Sequence, residues 1–567
     1  MTCCSFTLCA QEYPRKNIDI QKLTDELLAQ QDLAINYEEL YENLLQILSN
    51  PLALNTASEE DFRFLNILSE AQLQSLLVYR KEQGRFTSVY ELQSIDNFDL
   101  QTIQRFAPFV VVNSNPIKTS FLKSISARQN TYLILRYDYT IQQKKGYTNE
   151  ADSASRFLGS QGRIYSRFRS SKSGDYSIGF TQEKDAGEAM RWRPKNQYYG
   201  FDYTSFHIQL HHKGIIKNLI LGDFQGQFGQ GLLLGGFFGF GKGSETITTT
   251  RRSSIGFVPY TSVHESAMLR GVALTIKGTK HMDFSFFYSR KRKDAVLAST
   301  DVDERITSFQ TTGLHRNEKE LATRNKIVES NYGVVINFNY SKLKGGLIIN
   351  GTSFANPVQK TKSVYNQYTF EGIQNANIGG YADYSFHNFN FFGEVAKSLN
   401  GGWGGVVGLL GSLTTQLDVS LLFRKYDPEF YSFYANAFGE SSLPQNEAGV
   451  YWGWKYTWSK KLAVAGYLDL FSFKWLRYRS YTPSVGHEWL LRLNYAPNKK
   501  SVFYLQYKEE QKVANISGDA NLYFTTAGIK RNVLLNFSYS ITDDLQMRTR
   551  VQGSQYQFNK NTSVHYR

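Results

Sequence analysis

After residue 9 this 567-residue chain has no cysteine; its three, Cys3, Cys4 and Cys9, crowd into the first ten positions. Residues 10–567 therefore hold neither a disulfide framework nor a thiolate metal site. No apolar run approaches the ~18–20 residues that a membrane-spanning helix needs, and the mean hydropathy is −0.40, which excludes a helical membrane protein. Proline is scarce, at 11 residues, and no blade-like repeat points to a propeller. The nine histidines are scattered, and the only grouping is His207, His211 and His212. On a strand, residues four apart share a face but stand ~13 Å from each other, too far for one metal ion. No metal or cofactor site is read from these residues. Acidic side chains are also unevenly missing. Residues 11–112 carry 8 basic and 16 acidic groups, whereas residues 113–567 carry 56 basic and 34 acidic. An acidic head joined to a basic body marks two regions with different partners.

What is abundant is aromatic: 37 Tyr and 40 Phe. Met1–Ala10 is apolar, ends in Cys-Ala and precedes a polar stretch, so it reads as the remnant of a secretory signal peptide cleaved after Ala10. Residues 11–50 read as a helical lead segment, with Leu23, Leu27, Leu28, Leu40, Leu44, Leu45 and Leu48 at three- and four-residue spacing and Pro51 at the end.

From residue 51 to 112 the helix signals are regular. Thr56-Ala-Ser-Glu59, Ser69-Glu-Ala-Gln72 and Ser88-Val-Tyr-Glu91 each have the spacing of a capping box, in which hydroxyl and carboxylate or amide satisfy two orphan N–H groups. Gly84 sits where a left-handed C-terminal residue belongs, Asp99 caps a fourth helix and Pro108 closes it. Four short helices in two pairs follow, with Leu65, Leu73, Leu76, Leu77, Val89, Leu92, Ile103 and Phe106 as the shared core. Asn55-Thr-Ala-Ser58, Tyr79-Arg80, Gly84-x-Phe86, Ser88-Val89 and Leu92 resemble the tandem helix-hairpin-helix domain of the ComEA competence proteins. Residues 113–119 read as a linker.

From residue 120 to 567 the period changes to two. Tyr332, Val334, Ile336, Phe338 and Tyr340 alternate with small or polar residues. So do Val533, Leu535, Phe537, Tyr539 and Ile541; Val450, Trp452, Trp454, Tyr456 and Trp458; and Met282, Phe284, Phe286 and Tyr288. Leu133, Leu135, Tyr137, Tyr139 and Ile141 read as the first strand. Segments of 8–12 residues with one apolar face suit tilted strands that meet lipid on one side and a polar lumen on the other. The fold class is thus mainly β: a large antiparallel transmembrane barrel with a small all-α domain in front. Lys291–Lys326, rich in charge and Ser/Thr, reads as an extracellular loop. Because the chain stops at His565-Tyr566-Arg567 rather than on an aromatic residue, further closing strands are expected beyond residue 567.

The stretch Gly222-Asp-Phe-Gln-Gly-Gln-Phe-Gly-Gln-Gly231, with Pro259-Tyr260 and Glu265-Ser-Ala-Met-Leu-Arg-Gly271, resembles the helix-hairpin-helix proteins with C-terminal barrels found in Bacteroidota. The positions carrying that resemblance are Gly222, Asp223, Gln225, Gly229, Gln230, Gly231, Arg270 and Gly271. The resemblance implies this architecture, in an outer membrane, and no particular activity.

Four patterns bear on chemistry. DNA-binding helix-hairpin-helix turns use glycines to bring backbone N–H groups up to a phosphate. Here the turns are Ile67-Leu68-Ser69 and Asn97-Phe98-Asp99, with every such glycine replaced and a net negative charge around them, so docking to protein is favoured over nucleic acid. Gly236–Gly243, with Lys242, falls one hydroxyl residue short of a phosphate-binding P-loop and reads as a glycine-rich barrel segment or an inward-folded loop. His264-Glu265-Ser266 is the nearest approach to a hydrolase triad, but neighbours on a strand point to opposite faces; the chain is read as no enzyme. Arg163, Arg167 and Arg169 share one face, as do Arg548 and Arg550, and are expected in the lumen, favouring anion passage or plug docking. The loop charges Arg290-Lys-Arg-Lys293 are expected to meet lipopolysaccharide phosphates. The chain is thus expected to be a non-enzymatic outer-membrane channel or docking scaffold. Its acidic domain lies in the periplasm as a plug or as a dock for a periplasmic protein. The rival reading is a DNA-uptake receptor.

Overall fold

The computed structural model describes residue 48, residues 51–112 and residues 131–566, apart from 66, 99, 149–151, 173, 194–197, 237–240, 300–303, 341, 400, 460, 499–500, 517–523, 543–544 and 560. The signal remnant, the helical lead except Leu48, the linker and Asp99 lie outside the described residues.

Residues 51–112 form a compact helical unit. Its helices are α1 (Glu59–Phe64), α2 (Glu70–Glu82), a 3-10 turn over Val89–Ser94, and α3 (Leu100–Phe106). The two-residue strands Leu52–Ala53 and Val110–Val111 pair in parallel and bring the ends of the unit together. Ser69 and Gln72 cap α2, and Ser88 and Glu91 cap the 3-10 turn, each as a reciprocal box. The first box is displaced from the expected position: Ser58 and Asp61 form it, not Thr56 and Glu59. Glu59 is drawn away by two cations, Arg63 on the next turn and Lys344 of the barrel. Gly84 has φ +89°, the left-handed stop expected of it. Phe62, Leu65, Leu73, Leu76, Phe86, Leu92 and Phe106 are buried, with Leu77, Val89 and Ile103 packed against them.

From residue 131 onward the chain makes one antiparallel sheet that closes on itself. Of the 23 strands in its order among the described residues, Gly256–Pro259, Ala295–Ser299 and Glu304–Phe309 belong to excursions bypassed by the pairings Ile216–Gln227 with Leu269–Lys277 and Met282–Lys293 with Ile327–Tyr340. The other twenty make the wall. Neighbouring strands are joined at one end by tight turns, such as those at His387 and Gly214. At the other end are long segments, such as 427–446 between Leu417–Tyr426 and Glu447–Ser459.

The wall is inside-out relative to a water-soluble protein. Tyr332, Trp452, Val533, Leu535, Phe537 and Tyr539 are exposed on the outside, while Asn331, Ser285, Asn536 and Ser538 are buried on the inside. Leu133, Leu135 and Tyr137 follow this pattern, but the strand ends at Asp138. Tyr139 and Ile141, expected to continue it, lie beyond the pairing. The basic run Arg290–Lys293 is likewise strand rather than loop, because Met282–Lys293 stays in register with Ile327–Phe338 to its last residue. Alternation therefore splits the run: Lys293 turns to Glu329 at 2.9 Å and Lys291 donates to the carbonyl of Ser266, while Arg290 and Arg292 stay exposed.

The lumen is filled unevenly. After Gln227 the chain folds inward, and Phe228, Leu232, Leu233, Leu234 and Ile247 pack with Phe430 and Phe438 from another long segment. They cover the inner residues Ile220, Phe224, Val335, Ile348, Leu422 and Tyr451. Across the barrel, on strand Gln546–Phe558, the inner-face residues Arg548 and Arg550 are exposed.

Candidate functional site: lumen segment and mouth

Glycines placed the inward fold. Gly222 and Gly271 are partners across the ladder, at φ +101° and +155°. A Cβ on Gly222 would lie 2.3 Å from the carbonyl oxygen of Phe206, and one on Gly271 2.2 Å from that of Tyr288. No other residue tolerates both the backbone and the contact. Beside them Asp223 and Arg270 are also partners. Fully buried Asp223 accepts hydrogen bonds from Arg270 Nε at 2.6 Å and Nη2 at 2.9 Å, and from the Phe206 N–H at 3.0 Å. Gln225 is buried one turn of the pleat further on, opposite Val258.

Then the chain leaves the wall. Gly229 and Gly231, at φ +55° and +78°, bend it so that successive N–H groups converge on one carboxylate. Glu394 Oε2 accepts from Gln230 N at 2.6 Å and Leu232 N at 3.2 Å, the concave arrangement that suits an anion. A Cβ on Gly229 would come within 2.7 Å of that oxygen. Gln230 also holds the returning segment, accepting from Arg252 N at 2.9 Å. These eight positions anchor the inward segment to the wall.

The glycine-rich stretch continues that segment, and its lysine is committed. Lys242 is buried among Glu440, Asp469 at 2.9 Å and Glu488 at 3.6 Å. Arg424 pairs with Glu447 at 2.5 Å and with Asp469 at 2.7 Å. Buried charges are thus matched by partners, and Lys242 sits among acids, not at a phosphate site.

The helical unit meets the barrel at the end with the tight turns. Glu59 pairs with Lys344 at 2.6 Å and accepts from Ser385 Oγ at 3.1 Å. Arg63, 8% exposed, pairs with Glu59 at 2.6 Å and with Glu70 at 2.8 Å. It donates to Ser385 Oγ at 3.1 Å and reaches Asp383 at 3.9 Å. Helix α2 lies against strand Trp403–Ser412. Residues 49–111 match the family described as the helix-hairpin-helix motif. The N-terminal unit is a helix-hairpin-helix domain.

In that helix-hairpin-helix domain the first hairpin is filled by side chains. Ile67 packs on the core, Leu68 is buried and Ser69 is the N-cap of α2. Glu70, at the first helical position, is buried against Arg63, so a carboxylate stands at the helix end a phosphate would approach. In the second hairpin, Asn97 takes φ +67°. Its side chain donates to Ser75 at 3.0 Å and its carbonyl accepts from Gln72 at 3.1 Å. Phe98 packs edge-on against Phe106.

No curated protein matches the chain. Solved structures with a similar course include Pseudomonas aeruginosa OccK3 (OpdO), at 9% identity over 77% of this chain and 91% of that one, TM-score 0.31. Acinetobacter baumannii OccAB3 aligns at 10% identity over 77% and 94%, TM-score 0.30. A BenF-like porin from Pseudomonas fluorescens Pf-5 aligns at 8% over 71% and 94%, TM-score 0.30. Likeness this loose carries no weight for function, and the barrel rests on its own closed sheet.

The expected lumen arginines divide. Arg163 pairs with Glu183, and with Asp185 at 3.3 Å. Arg167 and Arg169 face inward but are buried; Arg167 is bonded to Thr181 and to the Thr261 carbonyl. Arg548 and Arg550 are exposed. His207 is buried and bonded to Ser177 Oγ at 2.9 Å. His264 and Ser266 lie in a connecting segment, not a strand, and their side chains meet at 3.0 Å, correcting the opposite-face expectation. Glu265 turns instead toward another cluster.

That cluster escaped sequence reasoning. At the end with long segments, His315 donates between Asp202 at 2.5 Å and Asp294 at 2.8 Å, with Glu188 and Glu265 beside it. Glu188 accepts from the His315 N–H at 2.9 Å, and Arg324 pairs with Asp202 at 3.1 Å. Burial works against the imidazolium, but the bonds to Asp202 and Asp294 outweigh it and push His315 up to about 10. Burial, helped by the charge of Asp202, raises Glu188 to about 7. These residues come from three separate connections between wall strands, and nothing local in the sequence links the three.

Proposed function

We propose that this chain is an outer-membrane channel whose helix-hairpin-helix domain sits on the periplasmic side as a docked plug over part of the lumen. An outer wall of exposed Tyr, Trp, Phe, Leu and Val around a buried polar inner face supports a lipid surrounding. Tight turns are usual on the periplasmic side of such barrels, and the domain is seated at that end. One observation carries the plug reading. Arg63 is shared between the domain's own Glu59 and Glu70 and the lumen-facing Asp383, which also accepts from Arg251 of the inward segment at 2.6 and 2.8 Å. Domain, wall and lumen filling are thereby one charge network. The opposite net charges of the two regions are met in part by Glu59 and Lys344. Removing residues 11–112 is expected to raise single-channel conductance in planar bilayers while heat-modifiable gel migration stays intact. Equal conductance from an intact barrel would eliminate the plug.

A further inference from the structure

One stretch of the outer face carries charge of a single sign at a single end. On strand Met282–Lys293 the alternation that turns Phe286 and Tyr288 outward also turns out Arg290 and Arg292, while Lys291 and Lys293 face inward. Both arginines are exposed, and their cross-strand neighbours Ser330 and Val328 carry no charge. Tyr288 and Tyr332 are partners across the same ladder and lie exposed two residues nearer the middle of the wall. Among the described residues no carboxylate pairs with Arg290 or Arg292. The acids on nearby strands are taken: Asp223 by Arg270 at 2.6 Å and Glu329 by Lys293 at 2.9 Å. The same sign continues around the wall. On the strands between residues 327 and 426 the outward set holds two charges, Lys397 and Lys425, both at the end with the long segments. Lys397 stands over the Trp403 ring at 5.1 Å, and Asp427, just past the strand of Lys425, is bonded to the Trp403 N–H at 3.0 Å. At the other end the outward residues of these strands are Tyr340, Leu343, Tyr384, Phe389 and Leu417; Lys280 and Lys342 belong to the turns. Farther round the outer face, Arg531 is neutralised by Glu509 at 2.7 Å.

We propose that Arg290 and Arg292 form a binding site for the phosphate groups of lipopolysaccharide, on the outer face of the barrel at the end with the long segments. This rests on the outer-membrane part of the reading above and not on the plug. Same-face neighbours on a strand stand roughly 7 Å apart, so the two guanidiniums can grip one phosphorylated headgroup together. Each offers a planar fork of donors that matches phosphate oxygens. Tyrosine rings such as Tyr288 and Tyr332 favour the membrane–water interface, which puts the arginines just beyond it at headgroup depth, with Phe286 below them among acyl chains. Lys397 and Lys425 add attraction of the same sign without a fork. Fixed guanidiniums neutralise phosphate directly, so the contact needs no bridging divalent ion.

The test is binding of fluorescent lipopolysaccharide to the full chain in neutral detergent micelles with EDTA present. It is measured for the wild type, for Arg290→Gln with Arg292→Gln, and for Lys461→Gln, which removes an exposed charge from a turn at the opposite end. The wild type is expected to bind, and to bind less as salt is added. Loss of both arginines is expected to weaken binding about 30-fold, and Lys461→Gln to match the wild type. Lipopolysaccharide stripped of its phosphates is expected to bind the wild type about as weakly as the intact lipid binds the double variant, a comparison that needs no variant to fold. Equal binding by the wild type and a heat-modifiable double variant, or of the lipid with and without phosphates, overturns the site. Displacement of the lipid by inorganic phosphate alone overturns a lipid ligand in favour of a free anion. Either result leaves the membrane barrel standing. Wild-type protein that stays monodisperse without detergent overturns the membrane reading itself.

Discussion

Arg63 in the helix-hairpin-helix domain lies 3.9 Å from Asp383 in the barrel wall, Nη1 to Oδ1, and both are buried. The same carboxylate holds Arg251 through two hydrogen bonds. Removing one partner of a buried ion pair typically costs ~3–5 kcal/mol, because the other charge stays behind. Asp383→Ala takes from Arg251 its two bonds to a carboxylate and from Arg63 its contact with the wall. The expected outcome is a domain that protease releases at a concentration that leaves the wild type whole, together with higher conductance. An equally protected domain in Asp383→Ala would show that Lys344 and the apolar contacts hold it without this network.

The helix-hairpin-helix domain is expected not to bind DNA. Its hairpins offer Leu68, Phe98 and a buried Glu70 where phosphate contact needs open backbone and positive charge. Residues 51–112 have their own core, so a purified 11–112 fragment suits a gel shift at low salt. A complex that weakens steeply with added salt would restore the DNA-uptake reading.

Gly229 is expected to be intolerant. Gly229→Val must hold φ +55° and place its Cβ against Glu394, which frees the inward segment from its anchor. Lower thermal resistance in heat-modifiable migration and a wider, noisier channel are the expected outcomes. Gly553→Ala, with no heavy atom nearer than 3.8 Å to the added carbon, is expected to behave as wild type.

The His315 cluster predicts that the barrel end with the long segments loosens with alkali. His315 is raised to about 10 from an ordinary ~6.5, so its contribution is complete below ~6.5 and is lost as pH rises through about 10. Glu188 is held more readily protonated in the fold, with a value of about 7, so its contribution also falls as pH rises from ~4.5 through about 7. Both act in one direction. Hydrogen exchange in 185–202 and 294–326 is expected to quicken relative to the barrel strands between pH 6 and 10, and His315→Gln to remove most of that change. Protection that stays constant across this range would contradict the assignment of charge.

Much of the architecture was legible because it follows from local periodicity. Alternation along Tyr332–Tyr340 and Val533–Tyr539 marks a two-faced strand whatever surrounds it. Ser69-x-x-Gln72, Ser88-x-x-Glu91 and Gly84 mark helix ends through bonds made within a few residues. Local signals misled where a distant partner competed, as when Lys344 and Arg63 took Glu59 from its cap. They also misled where pairing ran on past the apolar residues, as at Arg290–Lys293.

Order along the chain thus settled two things about this protein: a helical domain of residues 51–112, and a barrel with apolar residues outside and polar residues inside. Both are set by side-chain spacing on a single element. Only closure of the sheet decided which charges are buried and which are exposed. Closure set Arg63 beside Asp383 across more than three hundred residues, and joined Asp202 to Asp294 and His315 of another connection. It also sealed Arg167 and Arg169 while leaving Arg548 and Arg550 exposed. Burial and pairing of charge depend on what lies across the lumen, and no stretch of sequence carries that information alone.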